Sequence, residues 1–270
     1  MRITKTMILK QFSIVGILLV FVGCSSIISQ QDSAPTNAPD VSNVPNAVPR
    51  DEPRSKYGNP AHYEVFGKRY YTLKSSRGYH EKGIASWYGK KFHGKRTSSG
   101  ETYDMYAMTA AHKTLPLPSY VEVKNLNNGR KVIVKVNDRG PFHDNRLIDL
   151  SYSAATQLGI IGKGTGMVEV RAISAGEAPV QIKAADYPVS IGSVGLYLQV
   201  GAFSTEHSAE QLRTKLQQQI GDAVLIIPLN KPNGSLYRVR VGPLANVEYG
   251  DTLASRLLDL GYNDSHIVVE

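Results

Sequence analysis

Val121-Glu122-Val123-Lys124-Asn125-Leu126-Asn127-Asn128-Gly129-Arg130-Lys131-Val132-Ile133-Val134-Lys135-Val136 reads as two strands joined by a turn. Val121, Val123 and Leu126 lead into Asn127-Asn128-Gly129, and Lys131 to Val136 continues beyond it. An Asn-Gly pair adopts positive φ at little cost, which a tight hairpin requires. Working outward, Gly83–Tyr88 and Met167–Ile173 are further strand-like runs bounded by turn signals. Leu147–Leu158 reads as a short helix with Ser151 as a possible N-cap, followed by a flexible turn at Gly159, Gly162, Gly164 and Gly166. Many short strands with one or two short helices predict a small β-barrel.

The chain has 270 residues, 41% of them apolar, which is enough for one large or two small cores. With only 20% charged residues it does not read as disordered. Its net charge of +8 suits a polyanionic partner or an envelope surface. Residues 1–23 have the form of a signal peptide. Arg2, Lys5 and Lys10 precede an apolar run, Phe12 to Gly23, too short for a permanent span. Export sets nucleic acid aside as a partner. The run ends at Cys24, the only cysteine, so no intramolecular disulfide exists. Phe21-Val22-Gly23-Cys24 resembles the bacterial lipobox, with Phe where Leu is usual. That resemblance implies cleavage before Cys24 and a lipid anchor on its thiol. Ser25 in place of Asp resembles the pattern sorted to the outer membrane in enteric-type bacteria.

Ser29 to Ser55 carries Pro35, Pro39, Pro45, Pro49 and Pro53 and few large apolar groups, so an extended tether is expected. Tyr57 to Lys82 is aromatic and basic and is expected to pack along a domain surface. The expected divisions are a signal peptide at 1–23, tether and lead-in at 24–78, a barrel domain at 79–174, a linker at 175–192 and a second domain at 193–270. In the second domain, Leu196–Phe203, Ala223–Leu229, Tyr237–Gly242 and His266–Val269 read as strands. Thr205–Gln218 and Val247–Leu260 read as helices, giving a β-α-β unit used twice.

The barrel stretch contains Gly83-Ile84-Ala85-Ser86-Trp87-Tyr88-Gly89, Phe92-His93-Gly94 and Thr97-Ser98-Ser99-Gly100-Glu101. Met108-Thr109-Ala110-Ala111-His112-Lys113-Thr114-Leu115-Pro116 and Val136-Asn137-Asp138-Arg139-Gly140-Pro141 follow. These are polar residues in loops that a rigid barrel can hold. Glycosidic cleavage needs a carboxylic acid for the leaving oxygen and a second group for the oxocarbenium-like transition state. Glu101, Asp104, Asp138, Asp144 and Asp149 are the carboxylates available. From spacing alone Asp138 is equally a catalytic group and an Asx turn. His112 alone carries little, and no His or Cys spacing suits a metal.

These ordered motifs, over Gly83 to Ala172, resemble the double-psi β-barrel domain of the rare lipoprotein A family, septal lytic transglycosylases. Expansins and some endoglucanases share that barrel architecture. The resemblance implies a six-stranded double-psi barrel with Asp138 as catalytic carboxylate, accompanied by Glu101 and His112. Thr97-Ser98-Ser99-Gly100 stands where the family commonly has Thr-Ala-Asn-Gly. The implied reaction is non-hydrolytic: the muramyl C6 hydroxyl attacks its own anomeric carbon and leaves a 1,6-anhydro end. Asp138 would protonate the leaving oxygen and then accept the C6 proton. Glu101 would stabilise positive charge or tune Asp138, and His112 would orient one of them. No cofactor is implied.

Tyr197-Leu198-Gln199-Val200-Gly201-Ala202-Phe203 and Tyr237-Arg238-Val239-Arg240-Val241-Gly242-Pro243 resemble the SPOR family. That implies a ferredoxin-like, four-stranded antiparallel sheet with helices on one face, which binds peptide-stripped glycan at the division site. Gln199, Tyr237, Arg238 and Arg240 are the candidate glycan contacts. Strand alternation puts Arg238 and Arg240 on one face and Val239 and Val241 on the other. The expected partners are peptidoglycan, a membrane through the anchor, and division-site proteins. The expected place is the envelope, facing the periplasm. A non-catalytic wall-binding or expansin-like protein is the alternative, and a hydrolase leaving reducing ends a third reading.

Overall fold

The computed structural model describes residues 32–177, 194–232 and 234–270. The leader, Cys24 and most of the 175–192 linker lie outside the described residues. Among those described, no helix is long and apolar enough to cross a membrane.

Six strands close into a barrel: β3 (His80–Trp87), β7 (Ile148–Leu150), β4 (Thr109–His112), β6 (Lys131–Asp138), β5 (Ser119–Asn125) and β8 (Gly166–Ile173), in that order. The β3/β7 and β4/β6 pairs are parallel and the others antiparallel. The opening hairpin forms in the expected register, with Val121 opposite Val134 and Val123 opposite Val132. Gly129 takes φ 73° in its turn. Val121, Val123, Val132, Val134, Val136, Ile148, Leu150, Val168 and Val170 point inward and are fully buried.

The expected helix at Leu147–Leu158 is half right. Its first part is strand β7, because Ile148 and Leu150 alternate inward around the outward Asp149. Helix α1 (Tyr152–Leu158) begins where Ser151 accepts the amide of Ala154, and ends at Gly159 in the left-handed region. Strand β4 was read among the loops: Ala110-Ala111 carries no β-branched signal, and only pairing with β6 and β7 makes it a strand.

The tether also differs from expectation beyond Asp32. Asp32 to Ser55 has no regular secondary structure, as its prolines dictate, yet it is strapped to the barrel. Asp32 accepts the amides of Gly89 (2.7 Å) and Lys91 (3.0 Å). Val41 is buried, and Gln157 donates to the carbonyls of Val41 and Val44. Asn46 accepts the Ile133 amide at 2.9 Å, and Ala47 donates to the Ile133 carbonyl. These bonds satisfy backbone groups that a free tether would leave to water. The aromatic lead-in packs, as expected, around the hairpin of β1 (His62–Val65) and β2 (Lys68–Tyr71). Tyr63 stacks on Tyr70 and its hydroxyl donates to the Lys113 carbonyl at 2.7 Å.

The C-terminal part repeats β-α-β as read: β9 (Leu196–Phe203), α2 (Glu206–Gln219), β10 (Val224–Lys231), then β11 (Gly234–Val241), α3 (Val247–Asp259), β12 (His266–Val269). The sheet is antiparallel in the order β10-β11-β9-β12. Leu198, Val239, Val241, Ala209, Leu216 and Leu257 form its core with the helices. This part docks on the barrel: Ile84 of β3 is buried in the same cluster, and Arg146 pairs with Asp251 of α3 at 2.6 Å.

If Asp32–Ser55 is part of the folded domain, deleting residues 32–55 costs about 2 kcal/mol or more, the value of one buried valine plus its hydrogen bonds. A thermal melt should fall by several degrees. An unchanged melting temperature would show the strap to be a free tether.

Candidate functional site

The end of β6 organises the barrel's polar site. Asp138 Oδ1 accepts three hydrogen bonds: from the Ser98 amide (2.8 Å), the Ser98 hydroxyl (2.7 Å) and the Arg139 amide (2.7 Å). Oδ2 accepts none among the described residues. Ser98 is brought there by a tight loop in which the Thr97 amide donates to the Glu101 carbonyl and Gly100 takes φ 94°. The residue that departs from the family pattern thus supplies a hydroxyl to Asp138 that alanine lacks.

Glu101 stands on the same loop. Its carboxylate accepts from Lys135 Nζ (2.8 Å) and Asn137 Nδ2 (2.7 Å), both on β6. Burial lowers the pKa of Lys135, but hydrogen bonds from Glu101 and Glu52 overcome this and raise it. Glu52 reaches Lys135 at 3.0 Å from the N-terminal strap, and the Tyr120 hydroxyl donates to it. The structure therefore brings Asp138 and Glu101 together on adjacent positions of one loop-and-strand junction.

His112 lies elsewhere. It is only 2% exposed, and its ring makes no bond to either carboxylate. Nδ1 accepts the amides of Thr114 and Leu115 (3.2 and 3.0 Å). Nε2 therefore carries the proton and donates to the Tyr79 hydroxyl (2.9 Å), which donates onward to Glu81. Burial, with the nearby charges of Lys113 and Arg139, pushes the imidazole down to about 3. His112 acts on the site through its backbone: its carbonyl accepts Arg139 Nη1 at 3.0 Å.

Of the other carboxylates named from sequence, Asp104 caps its own turn at Tyr106, and Asp144 is largely exposed and pairs with Lys68. Asp149 differs. The Ser86 hydroxyl donates to its Oδ1, and burial raises its carboxyl above the ordinary 3.8 despite Ser86, Arg146 and Lys113. Sequence reading counted Asp149 without giving it a role. The signal was its place as the one polar residue of Ile148-Asp149-Leu150. No group of three or more His, Cys, Asp or Glu able to hold a metal occurs among the described residues.

In the C-terminal sheet, Arg240 pairs with Gln199 across strands, and Arg238 with Ala202. Arg240 Nε donates to Gln199 Oε1 at 3.1 Å, and Arg240 also pairs with Glu270 at 2.6 Å. Arg240 is 2% exposed, so it is an internal tie of the sheet as well as a candidate contact. Arg238 lies 3.4 Å from Glu270 on the same face. Tyr237 does not share that face. It pairs with Phe203 and packs against the apolar cluster that includes the helices. Alternation separates it from Arg238, as it separates Val239 and Val241.

The neutral His112 has a measurable consequence. Between about 3 and 6.5 the unfolded chain binds a proton there that the native chain does not, so stability is complete above pH 6.5 and is lost as pH falls. His112 should account for a loss of about 2 kcal/mol between pH 7 and pH 5. Urea unfolding of the wild type and His112→Gln at both pH values checks this. An equal pH dependence in the two proteins would remove His112 as the cause.

Residues 80–182 match a family model described as lytic transglycolase, and residues 192–268 match the SPOR domain. The chain is similar to the endolytic peptidoglycan transglycosylase RlpA of Vibrio cholerae, at 40% identity over 93% of this chain and 94% of that one. It is 41% identical to the RlpA of Pseudomonas aeruginosa strain UCBPP-PA14, over 81% of this chain and 78% of that one. The crystal structure of the RlpA SPOR domain from Pseudomonas aeruginosa matches 27% of this chain and 97% of its own, at 31% identity and a TM-score of 0.26. With both domains matched in order and a relative at 40% identity along almost the whole length, the chain belongs to the RlpA family of endolytic peptidoglycan transglycosylases.

Proposed function

We propose that this chain is an endolytic lytic transglycosylase that cuts between N-acetylmuramic acid and N-acetylglucosamine in peptide-stripped peptidoglycan strands. The muramyl C6 oxygen forms a bond to C1 of the same sugar while the bond from C1 to the glycosidic oxygen breaks. No water is consumed, and a 1,6-anhydromuramyl end remains. The observation that carries this reading is Asp138, fixed by three donors on one oxygen and open on the other. In this role Asp138 Oδ2 takes the C6 hydroxyl proton. Glu101, held by Lys135 and Asn137, supplies negative charge beside the oxocarbenium-like centre. His112 contributes indirectly, by holding Arg139 through its carbonyl.

The SPOR domain, in this reading, holds denuded glycan on the face that carries Gln199, Arg238 and Arg240, and Tyr237 supports that face from behind. Guanidinium groups suit the sugar hydroxyls and muramyl carboxylates of such strands. A lipid on Cys24 would tie the protein to the envelope, with the outer membrane favoured by Ser25, and denuded glycan would draw it to the division septum.

The test is direct. The chain from Ser25 onward, incubated with peptide-stripped strands, should release products with anhydromuramyl ends by mass spectrometry, and Asp138→Asn should lower the rate at least about 100-fold. Binding without cleavage would instead support the non-catalytic alternative. For the sheet, Arg238→Ala should weaken pelleting with denuded glycan at unchanged melting temperature. Tyr237→Ala should mainly lower the melting temperature, and a reversed pattern would place the glycan on the helix side.

A further inference from the structure

The lead-in to the barrel brings an exposed aromatic ring to the edge of the carboxylate pair. Its backbone is pinned on both sides of Tyr57. Ser55 donates its amide to the Leu117 carbonyl (2.9 Å) and its hydroxyl to the Tyr57 carbonyl (2.7 Å). The Gly58 carbonyl accepts Arg139 Nε at 2.9 Å. Gly58 also runs so close to the loop that holds Asp138 that a Cβ there would stand 2.6 Å from the Ser98 carbonyl. Between these fixed points the Tyr57 side chain is 56% exposed. A large ring held through its backbone and left in water loses little freedom on meeting a partner.

The ring rests on Gly100. A Cβ at that position would lie 3.3 Å from Tyr57 Cδ2, so the absence of a side chain lets the ring sit against the loop. The same point is 3.7 Å from Arg96 Nη1. Arg96 is exposed and makes no ion pair among the described residues. Glu101, the acid next to Gly100, is committed to Lys135 and Asn137. Lys56 Nζ adds a second cation, 5.5 Å from the Tyr57 ring centre. An open ring thus stands beside a guanidinium with no anion to meet, on the loop that carries both Glu101 and the Ser98 that holds Asp138. Tyr57 also lies outside residues 80–182, the stretch matched to the family model.

A glycan strand offers both complements. The C–H face of a pyranose covers an aromatic ring. A muramyl unit stripped of its peptide ends in a free lactyl carboxylate, which a guanidinium grips with paired hydrogen bonds. A unit that keeps its peptide has a neutral amide there. We propose that Tyr57 and Arg96 form a sugar subsite beside Glu101 and Asp138 that takes a muramyl unit with a free lactyl carboxylate. This rests on the transglycosylase reading, and it puts part of the preference for stripped strands in the barrel domain itself. Tyr57 supplies the platform, and Arg96 distinguishes carboxylate from amide.

The experiment uses the chain from Ser25 onward and two substrates. One is the peptide-stripped strand. The other is the same strand with its lactyl carboxylates converted to methylamides. Wild type should cleave the free-acid strand with a kcat/KM at least about tenfold above that for the methylamide strand. Arg96→Gln should bring that ratio below about threefold. The SPOR arginines are present in both proteins, so the change belongs to Arg96. Tyr57→Ala should lower kcat/KM about tenfold on both strands alike, chiefly through KM. Tyr57→Phe keeps the ring and should stay within about twofold of wild type. Both side chains are exposed, so each variant should melt with wild type. A loss of activity that tracks a fall in melting temperature would overturn the assignment. So would a wild-type ratio near one, an unchanged ratio in Arg96→Gln, or Tyr57→Ala as active as Tyr57→Phe. A wild-type chain that cleaves neither strand would overturn the transglycosylase reading and this assignment together. Wild-type cleavage with an unchanged ratio overturns this one alone.

Discussion

The half-buried guanidinium of Arg139 is the constraint on which the site depends. It donates to the carbonyls of Gly58 (2.9 Å), His112 (3.0 Å) and Leu115 (2.5 Å), and lies 3.4 Å from Asn59 Oδ1. Its backbone amide holds Asp138. A buried charge costs several kcal/mol unless its donors are met. Burial lowers its pKa without discharging it, so the fold must supply acceptors for its donors. Satisfying one side chain therefore fixes the lead-in, the end of β4, the following loop and the Asn137-Asp138-Arg139 turn against each other.

The same logic explains why the N-terminal segment belongs to the barrel fold. Asn59 receives the Leu117 amide and donates back to the Leu117 carbonyl, so the lead-in that serves Arg139 is itself stitched to the barrel. Farther upstream, Glu52 bonds Lys135, and Lys135 bonds Glu101. Lys135 would otherwise be a partly buried cation with a single acidic partner. The strap thus helps hold Lys135, and through it Glu101, in one place.

Much of this was legible in sequence because it is local. The Asn-Gly turn, the alternating valines, the Ser151 cap and the repeated β-α-β units each state their structure within a few residues. What was illegible is non-local. Asp32–Ser55 has the composition of a tether, and only bonds to Ile133, Gln157 and Gly89, remote in sequence, hold it down. Strand β4 has no propensity of its own. His112 sits in a motif that names it, yet the motif does not reveal that both ring nitrogens are committed to Tyr79, Thr114 and Leu115. Asp149 was visible only as a polar interruption, since its neighbours across the sheet come from β3 and β4. Tyr237 was named with Arg238 and Arg240 as a candidate contact, yet on the strand it alternates to the face that packs on the helices.

The loop after Asp138 is secured at both ends by arginines with different partners. Arg139 ties its start to the barrel. At its far end Arg146 is 9% exposed and makes two bonds to Asp251 of α3, at 3.2 and 2.6 Å. Its carbonyl accepts Lys113 Nζ, from the strand end beside His112. Asn145 next to it accepts the Ile267 amide at 2.9 Å, on the outer edge of β12. A forked, shielded ion pair of this kind is worth more than an exposed one. The Asn145 side chain in turn satisfies one amide on the open edge of β12. The segment that follows Asp138 is thus the segment on which the SPOR sheet rests. Arg146 and Asn145 are therefore the points at which the loop after Asp138 and the C-terminal sheet hold each other in register, one through a forked ion pair and one through a backbone amide.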